Sequence, residues 1–153
     1  KDISLLKNLN QIKENLEKLN LEYHMVSSDI FEVANKLNPE HPCYMCARMR
    51  RGFLYQKAKD LGCNKIALGH HFDDVIETIL LSMFYGGEFK TMLPKLKSKN
   101  FEGMELIRPL YFVREEAIQK FWQQNDYHFI NCACEFSKKE HTLSKRFEIK
   151  KLL

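Results

Sequence analysis

The sequence predicts an α/β fold of three layers, with helices on both faces of a parallel sheet. Two observations favour this class: short apolar strands alternate with segments of helical periodicity, and the connections between them are short. The chain contains neither an internal repeat nor a low-complexity linker, so residues 1–153 are predicted to form one domain. Its 153 residues are 44% hydrophobic and 29% charged, which is enough apolar material for a real core.

The first half of the chain is predicted to alternate between helix and strand. The elements are a helix over residues 4–19, a strand over 21–26 (LEYHMV), a helix over 46–61 and a strand over 65–69 (KIALG). The second helix should end at Gly62, because glycine is common just beyond a helix. Its predicted inner face consists of Ala47, Leu54, Ala58 and Leu61.

The second half continues the alternation around one polar loop. Its elements are a helix starting at Asp73 or Asp74 and ending at Gly86-Gly87, a lysine-rich loop over 88–103, a strand over 106–110, a helix over 115–124, a strand over 127–130 and a basic helix over 139–152. The side chains predicted to face the core are Ile76, Ile79, Leu80 and Met83 in one helix and Ile118, Phe121 and Trp122 in another.

Composition limits the class of partner and the location. No apolar stretch is long enough to span a membrane and the start has no signal-peptide anatomy, so we expect a cytoplasmic protein with no membrane partner. The net charge of +4 is mild, but positive residues cluster near Arg50, over 90–99 and over 138–151, which would suit a polyanion. A solvated surface is the alternative explanation for such clusters.

The segment LGHHFDDVIET, residues 68–78, carries the densest set of reactive side chains. A strand ends at Gly69, and a helix begins after two histidines and two aspartates. Ligands of open α/β sheets bind beyond the carboxyl ends of strands and beside helix N-termini. His70 can therefore contact a phosphate or a labile proton, while Asp73 and Asp74 can hold magnesium or act as bases. The simpler interpretation is that one aspartate only caps the helix.

Four of the five cysteines form two close pairs. Cys43 and Cys46 open a helix, where the dipole stabilises thiolates, and Cys132 and Cys134 follow the last predicted strand. From spacing alone a closed zinc site leads, an iron–sulfur cluster with three thiolates is an alternative, and unconnected thiols are another. Cys63 is predicted to be a packing residue.

Several motifs occur in an order that resembles the tRNA 2-thiocytidine synthetase family of PP-loop ATPases. They are PCxxCxRxRR (42–51), KIALGHHxDD with Glu77-Thr78 (65–78), MFYGG (83–87), IRPL (107–110) and the late cysteines. The resemblance implies an adenine-nucleotide α-hydrolase-like fold. It also implies that ATP with Mg²⁺ adenylates a cytidine of the tRNA anticodon loop, and that sulfur carried on a [4Fe–4S] cluster then displaces AMP.

The resemblance also assigns expected roles to individual residues. The implied sets are Cys43, Cys46 and Cys132 (or Cys134) for the cluster; Asp74, His70 and Asp73 for catalysis; Lys1, Asp2, Gly69 and His70 for ATP; and Arg48, Arg50 and Arg51 for RNA or phosphate. Cys134 lies one residue closer to Cys132 than the family's common CxxC. A sulfur donor, either a cysteine desulfurase or sulfide, and a homodimer are further expectations.

One departure from the family concerns the ATP loop. The family carries SGGKDS, whereas this chain begins KDISLL, with Ile3 in place of the motif's serine. We expect that a first strand with its glycine-rich loop, and a segment near residues 6–11, are missing from the N-terminal part. Two alternatives follow: a non-catalytic tRNA-binding module with structural zinc, or a related PP-loop enzyme acting on another tRNA base or a small molecule.

Overall fold

The computed structural model describes residues 3–40, 42–125, 127 and 145–153, with side chains described from residue 9 onward. In chain order the elements within these ranges are α1 (Ile3–Lys18), α2 (Ile30–Leu37), α3 (Pro42–Asp60), β1 (Lys65–Ala67), α4 (Phe72–Gly86), β2 (Lys95–Lys97), β3 (Glu105–Ile107), α5 (Glu115–Gln124) and α6 (Lys145–Leu152). The predicted strand over 127–130 lies outside the described residues, apart from Tyr127.

The three described strands form one mixed sheet in the order β1-β3-β2. β1 runs parallel to β3, with Ile66 opposite Leu106, as the alternating pattern predicts. β2 pairs antiparallel with β3, with Leu96 opposite Leu106. The prediction of a parallel sheet and of a loop over 88–103 is therefore wrong at β2, while the α/β class itself holds. This strand is lysine-rich and exposed, so it lacks the apolar alternation by which strands are recognised.

The segment 21–26 is described without regular structure, so the strand predicted there is wrong. Residues 23–26 line an apolar groove of about 650 Å³ whose other wall includes β1. A strand requires a hydrogen-bonded neighbour, and within the described residues the ladder of β1 is formed with β3. The segment has the composition of a strand, but it does not pair with any of the described strands.

The predicted helices over 46–61, 73–86 and 115–124 are confirmed as α3, α4 and α5. α4 ends where Gly87 adopts a φ of 62°, a left-handed conformation that glycine tolerates without strain. The pattern did not predict α2, an eight-residue helix that packs against α3 and buries Ala34. α6 corresponds to part of the predicted basic helix.

The core lies between α3 and the sheet. Tyr55, Met104 and Leu106 are each at most 5% exposed, and the Tyr55 ring stacks on Phe101 with centroids 5.0 Å apart. Ala58 packs against this cluster.

Several predicted inward residues lie elsewhere. Ala47 and Leu54 of α3, Leu61 just beyond it, Met83 of α4 and Phe121 of α5 are exposed. The buried residues of α4 are Val75 and Glu77. The three described strands, each of three residues, cover too little area to bury a full stripe on every helix. No helix in the described ranges is both long and apolar enough to cross a membrane.

Candidate functional site

The turn from β1 into α4 is held by backbone hydrogen bonds on both sides. Leu68 N–H donates to Ile107 O at 2.9 Å, and Phe72 N–H donates to Val113 O at 2.9 Å. His71 is the N-cap of α4, and its N–H donates to Asp74 Oδ2 at 3.0 Å. The prediction that Asp73 or Asp74 itself is the N-cap is therefore wrong. Asp74 lies in the first turn and reaches back to the cap residue.

We call Asp73, Asp74 and Glu77 the carboxylate cluster. Asp73 contacts the neighbouring helix, because its Oδ2 accepts a hydrogen bond from Glu115 N–H at 2.7 Å. Its Oδ1 lies 3.0 Å from Arg114 Nη2. Since Glu115 is the first residue of α5, Asp73 satisfies one of the free N–H groups at that helix start. Asp73 thus joins α4 to α5 across 42 residues of sequence.

Asp74 and Glu77 share one arginine from α6. Arg146 Nη2 lies 2.7 Å from Asp74 Oδ1, and Arg146 Nε lies 2.6 Å from Glu77 Oε2. Glu77 is only 3% exposed, so its charge requires this partner. The sequence placed Arg146 only in a general basic tail, and its pairing partners lie about seventy residues away along the chain. The tail therefore uses part of its charge internally.

Further contacts hold α6 in place over α4 and α5. Tyr85 donates to Glu148 Oε2 at 2.5 Å, and this hydrogen bond raises the pKa of Tyr85 above its ordinary value. Lys150 Nζ lies 2.7 Å from both carboxylate oxygens of Glu115. Ile149 is buried on the same helix. α6 is thus tied down by an apolar contact and by several polar ones.

A second cluster of charge surrounds a cavity of about 670 Å³ between α3 and the sheet, which we call the arginine pocket. Its basic residues are Arg48, Arg51, Lys99 and Arg108, its aromatic residues are Tyr44, Tyr55 and Phe101, and His70 also lines it. None of the described residues that line it is an aspartate or a glutamate. Arg50 lines an adjoining cavity of about 260 Å³ together with Arg51 and His70.

The electrostatics of His70 and Arg108 reflect this surplus of positive charge. Burial lowers the pKa of His70 below its ordinary value of 6.5, and the charges of Arg108, Arg146 and Arg51 lower it further, while Asp74 opposes them. Burial also lowers the pKa of Arg108, and the nearby charge of Arg51 adds to that effect. Burial and the nearby cations therefore both favour the neutral form of His70.

The early cysteine pair lies in the first turn of α3. Cys43 is exposed and Cys46 is half-buried. Their expected partners Cys132 and Cys134, and the expected ATP residues Lys1 and Asp2, lie outside the described residues. Cys63 is exposed and lines the apolar groove, so the prediction of a packing residue is wrong. Within the described ranges, no group of three or more His, Cys, Asp or Glu side chains is arranged to share a metal ion.

Comparison with known proteins identifies the family of this chain. The sequence profile of the PP-loop domain matches residues 4–139, which is most of the chain. The chain belongs to the PP-loop domain family. The motif order therefore led to the correct family, and the α/β fold class expected from it is confirmed.

Two curated relatives of this chain have the same name. The chain is 49% identical over 123 residues to a tRNA-cytidine(32) 2-sulfurtransferase of Aliivibrio fischeri, and 47% identical over 123 residues to one of Vibrio cholerae. Each alignment covers 79% of this chain but 40% and 39% of the respective relative. The chain thus spans about two fifths of the length of these relatives.

A solved structure resembles the PP-loop domain in fold. It is the U34-tRNA thiolase NcsA from Methanococcus maripaludis with its [4Fe–4S] cluster, at a TM-score of 0.67 and 22% identity. The match covers 86% of this chain and 46% of that one. At this level of identity the likeness supports the fold.

Proposed function

We propose that this chain is part of an ATP-dependent tRNA sulfurtransferase that adenylates and then 2-thiolates a cytidine of the tRNA anticodon loop. The observation that carries the proposal is the 49% identity to a tRNA-cytidine(32) 2-sulfurtransferase. In this reaction the cytidine O2 attacks the α-phosphorus of ATP and pyrophosphate leaves. Sulfur then bonds to C2, the C2–O2 bond breaks, and AMP departs.

The early cysteines fit one side of an iron–sulfur site. Cys43 and Cys46 are three residues apart in the first turn of α3, where side chains at that spacing lie on one face and the helix dipole favours thiolates. The exposure of Cys43 leaves room for an inorganic group beside the pair. We propose Cys132, with Cys134 as the alternative, as the third ligand. A [4Fe–4S] cluster bound by three thiolates supplies one iron that can bind the transferred sulfur.

The turn after β1 is the proposed activation site. Gly69 is exposed and has no side chain, so the backbone there is open to a ligand. The buried Nδ1 of His70 has no hydrogen-bond partner within the described residues, so it can exchange a hydrogen bond with the substrate. We propose that ATP is held here and by Lys1 and Asp2, and that Arg48, Arg50 and Arg51 contact RNA or phosphate.

The carboxylate cluster is a weaker candidate for Mg²⁺. Asp73 and Asp74 are paired with arginines as described, so their charges are already compensated. These residues do not fit a magnesium site in this arrangement, and we derive no step through the ion. The catalytic role predicted for Asp74 and Asp73 stays a prediction, as do the sulfur donor (a cysteine desulfurase or sulfide) and a homodimer.

Mass spectrometry of tRNA nucleosides tests the proposed function. Deleting the gene that encodes this chain should remove 2-thiocytidine, and the intact gene should restore it. A Cys46→Ala gene should fail to restore it, whereas Cys63→Ala, which changes an exposed cysteine outside the pair, should succeed. Unchanged 2-thiocytidine in the deletion strain would refute the proposal.

A second candidate function is thiolation of another tRNA base. It is favoured by the likeness in fold to a U34-tRNA thiolase. The same nucleoside analysis separates the two, because a 2-thiouridine derivative would then disappear while 2-thiocytidine persists.

The alternative of a non-catalytic module with structural zinc predicts that no thionucleoside changes, and that the purified protein contains zinc without iron or acid-labile sulfide.

A further inference from the structure

The arginine pocket holds positive charge that the described protein does not neutralise. Arg48, Arg51 and Arg108 contribute three guanidinium groups and Lys99 contributes an ammonium group. None of the four is in an ion pair within the ranges that the structure describes, and no acidic side chain lines the pocket there. Of these four, Arg108 is half-buried, whereas Arg48, Arg51 and Lys99 are exposed. Elsewhere in the described chain, Arg146 is paired with Asp74. An uncompensated cluster of this kind is what an anionic ligand requires.

Two side chains of this pocket also contain unsatisfied polar atoms. Arg108 Nη1 donates to Leu93 O, but its Nε is buried without a partner among the described residues. His70 Nδ1 is likewise buried without a hydrogen-bond partner among the described residues. Leaving a buried polar group unpaired costs about 1–3 kcal/mol, so proteins rarely retain two such groups around one cavity without a purpose. A bound ligand with acceptor oxygens would give Arg108 the partner that it lacks.

The aromatic residues indicate which kind of anion fits. Tyr44 is 73% exposed at the pocket, while Tyr55 and Phe101 form a stacked pair deeper in it. An exposed ring beside guanidinium groups is the combination by which proteins bind single-stranded nucleic acid, where a base stacks and its phosphate is neutralised. The volume of about 670 Å³ is large enough for one nucleotide.

We infer that the arginine pocket binds one nucleotide of single-stranded RNA, with its phosphate on Arg51 and Arg108 and its base against Tyr44. This inference rests on the proposed function, which makes tRNA the substrate, and it adds Arg108, Lys99 and Tyr44 to the residues expected from sequence. The chemistry recognised is a phosphate group, so ATP is the other source that an experiment must separate from RNA.

Binding measurements with charge variants test the inference. We would measure tRNA affinity by fluorescence anisotropy over a series of salt concentrations for the unaltered protein, Arg51→Gln and the double variant with Arg108→Gln. Each charge-assisted contact that is lost should weaken binding by about tenfold. The slope of log affinity against log salt should fall by about 1 for a lost phosphate contact. Tyr44→Ala should weaken binding without changing that slope.

A matched control is available on the same helix. Lys59→Gln removes one positive charge from α3 at a position that lines neither the arginine pocket nor its adjoining cavity. Its affinity and salt slope should stay close to those of the unaltered protein. Arg51 is exposed, so Arg51→Gln should fold normally and tests the inference even if loss of the Arg108 contact to Leu93 impairs folding.

Equilibrium dialysis with ATP separates the two sources of phosphate. Weakened tRNA binding with unchanged ATP binding supports the inference. Weakened ATP binding with unchanged tRNA binding would overturn the RNA assignment, and unchanged binding of both would overturn the pocket as an anion site. Because these measurements involve no thiolation, they can fail while the nucleoside analysis succeeds, and the reverse also holds.

Discussion

The carboxylate cluster and the arginine pocket adjoin the same turn, but their charges are balanced in opposite ways. On one side of the turn, His71 Nε2 lies 3.5 Å from Asp74 Oδ2. On the other side, His70 lines the arginine pocket. Every carboxylate of the cluster has an arginine partner, whereas the cations of the pocket have no acidic partner among the described residues. The carboxylates therefore serve mainly to join helices, whereas the cations of the pocket are available to a ligand.

The largest effect should come from breaking the buried pair in the cluster. Glu77→Ala leaves half-exposed Arg146 with only Asp74, and it should lower the free energy of unfolding by about 2 kcal/mol, measured by urea denaturation. Glu116→Ala, which removes a carboxylate from an exposed pair with Lys120, should leave that free energy unchanged within error. Equal effects of both substitutions would show that the pairing of Glu77 does not stabilise the fold.

A smaller effect is expected from the contact between α4 and α5. Asp73→Ala removes the acceptor for Glu115 N–H and should cost about 1 kcal/mol of unfolding free energy, as the loss of a helix cap does. Asp73→Asn keeps an acceptor oxygen and should retain part of that stability. If both variants were as stable as the unaltered protein but failed to restore 2-thiocytidine in the deletion strain, Asp73 would have a chemical role instead.

The smallest effect concerns His70 on the other side of the turn. Its pKa is lowered in the folded protein, so the unfolded chain binds more protons between the lowered pKa and 6.5. Stability therefore rises with pH in that window and falls as pH drops below 6.5. His70→Asn should reduce the difference in unfolding free energy between about pH 7.5 and about pH 5.5. If the variant showed the same difference in unfolding free energy between the two pH values, the titration of His70 would not contribute to stability.

Local patterns in the sequence predicted much of the fold. The helical periodicity and the glycines placed α3, α4 and α5 within a few residues, and the short apolar runs placed β1 and β3. β2 was missed because all three of its residues are exposed, so it shows no alternation of buried and exposed positions. The segment 21–26 was wrongly assigned as a strand because its composition does not reveal whether a neighbouring strand is available to pair with it. The predicted inner faces failed where the small sheet leaves the helices exposed, as at Phe121.

The sequence pointed to the residues of the candidate site, but it did not predict which of them form ion pairs. The sequence identified His70, Asp73 and Asp74 from one short segment, yet it gave no sign that the two carboxylates are paired with Arg114 and Arg146. Such contacts join residues about forty to seventy positions apart and depend on how the helices pack. Arg108 was noted only as part of the motif IRPL, and its convergence with Arg51 on one pocket also depends on the tertiary fold.

The contrast between the two regions is tested most directly by adding inorganic phosphate to urea denaturation of three proteins. At about five times its Kd, a ligand that binds only the folded state adds about 1 kcal/mol to the unfolding free energy. We predict that phosphate stabilises the unaltered protein and Glu77→Ala by the same increment, relative to chloride at equal ionic strength, although Glu77→Ala starts lower. Arg51→Gln should start near the unaltered value and gain little. The opposite result would be a phosphate-induced gain in unfolding free energy that persists in Arg51→Gln or is lost in Glu77→Ala. Either outcome would show that the anion site is not formed by the arginine pocket independently of the carboxylate cluster.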